Sequence, residues 1–313
     1  MLYLTESDVR QLLPMRECIG LMRRAFAELA SGQAINHPRR RLVLPTRATL
    51  HYMAAGDGRY FGTKVYSTHP QHGARFLFLL YRAADAALLA VLEANHLGQI
   101  RTGAVSGLAT SLLARPDSRA VGIIGSGFQA RSQVEAILSV TQVTSVRVWS
   151  RSAGHCARFA RECSEQFGVA VDAANTAEEA VRGADILVTA TNAAEPVLHS
   201  DWVGAGTHVN AMGSNHPQRR ELPAELVTRA AQIVVDSFEQ SRMESGDVLM
   251  ALQEEDWSRV VELQDVVAGR TGRAHAGDIT LFKSNGLALE DVAAAGLVYE
   301  RALQAGGGRE IYS

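Results

Sequence analysis

The sequence has no surplus of positive charge: 31 Lys and Arg stand against 33 Asp and Glu, a net of −2. Nothing is left over to neutralise a phosphate backbone or an anionic membrane surface, so nucleic acid is excluded as the expected partner. No apolar stretch approaches the roughly 18 residues of a membrane span. The opening residues, MLYLTESDVRQLL, carry no basic segment, apolar core or small-residue cleavage site. The expectation is a cytoplasmic chain without membrane attachment. Cysteine is scarce as well. Cys18, Cys156 and Cys163 are an odd number with no C-x-x-C spacing, which argues against a disulfide framework and a structural zinc site, and no metal site is expected.

What is present suffices for two cores. Of 313 residues 47% are apolar, and a domain holds about 150 residues. Thr5 with Asp8 resembles a capping box opening a short helix, and Pro14 suits the first turn of a second. There Ile19, Met22, Phe26 and Leu29 recur at helical spacing up to Gly32. Short strand-like runs follow, Arg41 to Leu44, Leu50 to Ala54, Phe61 to Ser67, Phe76 to Tyr81 and Leu88 to Leu92, an antiparallel meander by their spacing. A helix is expected from about Gly103 to Ala114, ending before Pro116. The rhythm then changes to VGIIG, SVRVWS, VAVD, DILVTAT, HVNAMG and QIVVDS with helices interspersed, the pattern of a parallel sheet. The fold class is therefore α/β: a doubly wound Rossmann sheet over 116–288, plus an α+β domain from 1–115 with 289–313. The last helix, Leu287 to Leu303, carries Val292, Ala295, Val298 and Tyr299 on one side and suits a cap on either domain.

Gly125-Ser126-Gly127-Phe128-Gln129-Ala130 follows the apolar run Val121 to Ile124 and precedes a helical stretch. This is G-x-G-x-x-G/A in the context the motif requires. Gly125 permits the tight turn, Gly127 lets backbone approach a pyrophosphate, and Ala130 keeps the helix near the sheet. An NAD enzyme places an acid about 20 residues further on to hold the ribose 2′-OH. Here stand Trp149-Ser150-Arg151-Ser152. A guanidinium flanked by hydroxyls suits a 2′-phosphate, so NADP(H) is preferred and NAD(H) remains possible. A dehydrogenase of amino or imino acids also needs cations for the substrate carboxylate and a group to manage the nitrogen's proton. Candidates are the run Arg39, Arg40 and Arg41, Lys64 inside the apolar FGTKVYS, and Arg101-Thr102.

Several segments together resemble the ornithine cyclodeaminase/μ-crystallin family. They are LHYMAAG, TKVYS, IRTGAVSGLATSLLAR, GIIGSGFQARSQ, RVWSRS, ADILVTATNAAEPVL, HVNAMGSNHPQRREL, ESGDVL and ITLFKSNGLALEDVAAA. The resemblance implies an N-terminal substrate-binding and dimerisation domain completed by C-terminal residues, a Rossmann domain between, and a homodimer. It also implies NAD(P)-dependent reduction of cyclic ketimines, dehydrogenation of amino acids, or conversion of ornithine to proline. Position by position, Lys64 and Arg101 match catalytic, substrate-binding cations. Arg41 matches a first substrate arginine, with Arg39 as the alternative, and Met53 matches a pocket wall. Thr102, Thr191, Asn192, Met212, Gly213 and Lys283 fall where the cofactor is bound, beside Gly125, Ser126, Gly127, Phe128, Gln129, Arg151 and Ser152. Asn215, also assigned to the substrate, stands where the cyclodeaminase branch has an acid/base aspartate, and an amide carries no titrating proton near neutral pH. His216 beside it is a substitute candidate. Three readings follow: an imino-acid reductase or the reverse dehydrogenase, an ornithine cyclodeaminase, and an NADP-dependent binding protein without turnover.

Overall fold

The computed structural model describes residues 1–311. The chain forms two compact units, residues 1–104 with 286–311 and residues 105–285. Both boundaries differ from the expected 115/116 and 288/289. The first falls inside one uninterrupted helix, Asn95–Leu113, whose turn-to-turn hydrogen bonding offers no local signal of a division.

The first unit is built on one sheet. Strands Thr49–Gly56, Tyr60–His69, Gly73–Arg82 and Leu88–Glu93 are antiparallel neighbours, and Ile35–Asn36 and Arg40–Val43 both pair with the first of them. At the other edge Leu2–Leu4 runs parallel to Leu88–Glu93 and antiparallel to Arg309–Glu310. Those two short edge strands were not read from the sequence. The capping box is present: Thr5 Oγ1 accepts from Asp8 N–H at 3.3 Å, and Asp8 Oδ2 accepts from Thr5 N–H at 2.8 Å. Pro14 is the N-cap of the helix Met15–Ala30, one residue earlier than expected. Met22 and Phe26 of that helix are fully buried. The helix Ala288–Ala305 returns to this unit and packs on Met15–Ala30 and on strands Thr49–Gly56 and Tyr60–His69. Its first nine residues are buried all round, Glu290 and Asp291 included.

The second unit is an eight-stranded sheet in which every pairing is parallel. Its order is Ala170–Ala173, Ser145–Trp149, Ala120–Ile124, Ile186–Thr189, His208–Ala211, Thr280–Lys283, Gln232–Val235 and Val260–Glu262. Chain order reverses between Ala120–Ile124 and Ile186–Thr189, the switch point where ligands bind outside the carboxyl ends of the strands. Two strands of this sheet were missed from the sequence. Val260–Glu262 has three residues, and Thr280–Lys283 ends on a lysine that is wholly buried. No helix among the described residues is long and apolar enough to cross a membrane.

Candidate active site

The glycine-rich turn sits at the carboxyl end of Ala120–Ile124. Gly125 has φ +113°, and a Cβ there would lie 2.4 Å from the Ala190 carbonyl oxygen, so only glycine fits. Gly127 is the reverse case: a Cβ would meet nothing within 4 Å, because it faces a cavity of about 1030 Å³. Gly127 is also the N-cap of the helix Phe128–Val140, with no side-chain cap bond. Helices opened by Ser152, Thr176 and Ser237 have one. The cavity opening on this helix N-terminus suits a pyrophosphate.

Gly125, Ser126, Gly127, Phe128, Gln129, Arg151, Ser152, Thr191, Asn192, Met212 and Gly213 all line this cavity. Ser126 Oγ and Ser150 Oγ are 2.8 Å apart, and an Arg151 guanidinium N–H donates to Asn192 Oδ1 at 3.4 Å. Two expected cofactor residues do not line it. Thr102 belongs to the first unit, one full turn and more inside the helix Asn95–Leu113, which begins earlier than the expected Gly103. Lys283 points away from the surface: its Nζ is 3.3 Å from Asp247 Oδ2 and donates to the carbonyls of Ser214 and Ala211. Lys283 thus pins the strand ends beneath the cavity.

Two buried carboxylates do the same, and the sequence reading passed over both. Glu221 accepts from Thr189 Oγ1 at 3.0 Å, Thr191 N–H at 2.6 Å, Thr191 Oγ1 at 2.7 Å and Gly213 N–H at 2.7 Å. It thereby ties two cavity loops together. Burial raises its pKa, with Lys283 opposing. Asp247 Oδ1 in turn accepts from the backbone N–H groups of Glu221 and Leu222.

In the first unit Lys64, on a buried sheet face, and Arg101, on the helix Asn95–Leu113, meet the same carboxylate. Along Tyr60–His69 the residues Gly62, Lys64 and Tyr66 turn inward, and Lys64 is paired across the ladder with Met53 on one side and Phe78 on the other, both buried. Lys64 Nζ donates to Asp291 Oδ1 at 3.0 Å. Arg101 Nε donates to the same Oδ1 at 3.1 Å, and its Nη1 donates to Glu290 Oε2 at 2.6 Å. Burial pulls the Lys64 pKa down to about 8, Asp291 opposes that, and Arg101 adds to it. For Arg101 burial also works against the charge, but Asp291 and Glu290 outweigh it and the pKa is raised.

Arg39 is 3% exposed and donates to the Gly286 carbonyl at 3.3 Å, whereas Arg41 is exposed. The buried member of the arginine run is thus the alternative, Arg39, which lies just before the strand Arg40–Val43. Asn215 and His216 sit in an exposed loop, where His216 Nδ1 accepts the Gln218 N–H at 3.2 Å. Asp291 and Glu290, which receive these bonds from Lys64 and Arg101, were not singled out from the sequence. Two acids in the first turn of a helix ordinarily complement its dipole, so their position gave no sign of a further role.

The model of the ornithine cyclodeaminase/mu-crystallin family matches residues 1–306. The chain belongs to that family. It is 35% identical to the Delta(1)-pyrroline-2-carboxylate reductase of Bacillus cereus over 324 aligned residues, covering 99% of each chain. The solved Delta(1)-pyrroline-2-carboxylate reductase of Thermococcus litoralis, in complex with NADH and L-proline, superposes with a TM-score of 0.95. It is 37% identical and covers 99% of this chain and 100% of its own. An archaeal alanine dehydrogenase dimer with bound NAD gives a TM-score of 0.94 at 34% identity, covering 100% and 99%. The expected family and the expected Rossmann-containing α/β class both hold.

Proposed function

We propose that the chain is an NAD(P)H-dependent reductase of small imino acids, with cyclic ketimines such as pyrroline-2-carboxylate as the favoured class, or runs the reverse amino-acid dehydrogenation. It is an enzyme acting on carbon–nitrogen bonds. The observation carrying this reading is the buried convergence of Lys64 and Arg101 on Asp291, in a chain whose second unit holds a cavity of about 1030 Å³ at its glycine-rich turn. Three cations, Arg39, Lys64 and Arg101, stand against two carboxylates, Glu290 and Asp291. Buried guanidinium and ammonium groups of this kind suit a substrate carboxylate. Arg101 and Arg39 hold that carboxylate, Lys64 faces the nitrogen, and Met53 forms an apolar wall. When bound, the nicotinamide cofactor supplies the hydride; this chain's residues orient the imine carbon and keep its nitrogen protonated. The reading assigns dinucleotide binding to the second unit and substrate binding to the first. A panel of pyrroline-2-carboxylate, piperideine-2-carboxylate and pyruvate with ammonia, followed by cofactor oxidation, separates cyclic from linear substrates. Absence of turnover with every member would favour the binding-protein reading.

The phosphate preference is a claim about Arg151, since the two solved relatives carry NADH and NAD. Arg151 and the Ser150 and Ser152 hydroxyls line the cavity, and the segment Trp149 to Ser152 that follows the second strand holds no acid to repel a 2′-phosphate. A charge-assisted contact contributes about 1.5 to 3 kcal/mol, roughly ten- to a hundredfold in affinity. Arg151→Asp is expected to reverse the preference, read as the ratio of KM values for NADPH and NADH. Equal KM values in the unmodified protein would contradict the assignment.

The expected assembly is a homodimer formed through the first unit's sheet. Leu42, Val43, Leu44, Leu50, Tyr52 and Leu77 are exposed large apolar side chains of that unit, and Leu42 and Leu50 are cross-strand partners, a composition that suits an interface. Light scattering should give twice the 33.7 kDa chain mass. Leu50→Glu with Tyr52→Glu should give the single mass.

A further inference from the structure

The chain contains only two lysines, Lys64 and Lys283, and both are buried. Lys64 belongs to the substrate cluster on the reading above, and the inference drawn here rests on that reading. Three charged groups bear on Lys64: Asp291 from the helix Ala288–Ala305, Arg101 from the helix Asn95–Leu113, and Arg39 from the segment before Arg40–Val43. The Phe76 ring lies 5.6 Å from its Nζ. Of these only Asp291 opposes the loss of the ammonium's charge. Glu290 hydrogen-bonds Arg101 instead.

We propose that Asp291 is the positioning residue of the substrate site, aiming Lys64 and Arg101 through one oxygen and holding Lys64 in its protonated form. The two cations come from a strand and a helix 37 residues apart in sequence, yet both donate to Oδ1, at 3.0 and 3.1 Å. Their directions are therefore set by a single atom. Packing alone does not account for this arrangement. A buried ion pair is often no more stabilising than apolar residues of the same volume, and Asp291 sits among Ala288, Leu289, Val292, Ala293 and Ala294. Its Oδ2 is buried with no hydrogen-bond donor among the described residues. It lies in the first turn of its helix, where the dipole favours the ionised carboxylate. A lysine charged below its pKa loses the charge as pH rises through it, near 8 here. Without the carboxylate that loss occurs at lower pH.

Because there are only two lysines, Lys64 can be titrated directly. In protein labelled with ¹³C at the lysine ε-carbon, two signals are expected, and Lys64→Met assigns them. Asp291→Asn should move the Lys64 midpoint down by one pH unit or more. It should also lower kcat/KM for pyrroline-2-carboxylate about a hundredfold at pH 8, a deficit that narrows as pH falls. Glu290→Gln should raise KM and leave the Lys64 midpoint in place. Asp291→Glu keeps the charge but displaces the oxygen, so its Lys64 midpoint should stay near the original while kcat falls. It serves equally if the asparagine variant does not fold. An unmoved midpoint in Asp291→Asn, or a midpoint lowered equally by Asp291→Glu, would overturn the proposal. Neither titration depends on the identity of the substrate, so failure of the imino-acid reading would appear separately, as absence of turnover in the unmodified protein.

Discussion

Lys64→Met is expected to reduce imino-acid turnover at least a hundredfold while leaving NADPH affinity within about twofold. Misplacing a bound substrate by about an ångström is enough to cost such a factor. Lys64 lies in the first unit, on the strand Tyr60–His69, whereas every residue lining the dinucleotide cavity lies in the second. Asp291 Oδ1 would keep its bond from Arg101 in this variant, so the cluster is not left with a stranded charge. Arg101→Met should lose turnover to a similar degree and stability as well. It removes a donor to Glu290 Oε2 and one of the two to Asp291 Oδ1. Breaking a buried pair from one side costs about 3 to 5 kcal/mol. Thermal melts beside NADPH titration and steady-state rates distinguish these outcomes. Unchanged rates in folded Lys64→Met would assign that lysine a structural role only.

The second large effect concerns the reaction itself. Cyclodeamination oxidises the amine at C2, loses ammonia as the ring closes and returns hydride to that carbon, so its proton transfers need a titrating group beside C2. The loop that would supply it carries Asn215, an amide, and the His216 ring there already accepts a backbone N–H. Reduction of a ring that is already closed needs only hydride, a held carboxylate and a protonated nitrogen. We expect imine reduction at least a thousandfold faster than ammonia release from L-ornithine. Comparable rates would point to a base outside this loop.

The sequence made one half of the molecule far more legible than the other. Gly125 to Ala130 is a local signal, since its strand, turn and helix are contiguous, and the lining of the cavity by Arg151, Thr191 and Met212 follows from parallel strands that all end at one edge. The cluster proposed for the substrate depends on contacts across 227 and 190 residues, Lys64 to Asp291 and Arg101 to Asp291. No periodicity reports those. Arg39 and Arg41 alternate in the same run, and which of them is buried is decided by where the strand begins. Lys283, expected at the cofactor, does not line the cavity, for a related reason. Its neighbours are apolar strand residues, and only the fold shows that Asp247 is buried close enough to receive its charge.

The central claim is hydride transfer to the imine carbon of a cyclic imino acid. It is tested most directly by supplying pyrroline-2-carboxylate with NADPH deuterated at the transferring position of nicotinamide C4 and analysing the product by mass spectrometry. The account expects proline carrying one deuterium at C2 for each cofactor oxidised, with no ammonia released. Proline without deuterium, or cofactor bound but not oxidised, would contradict it.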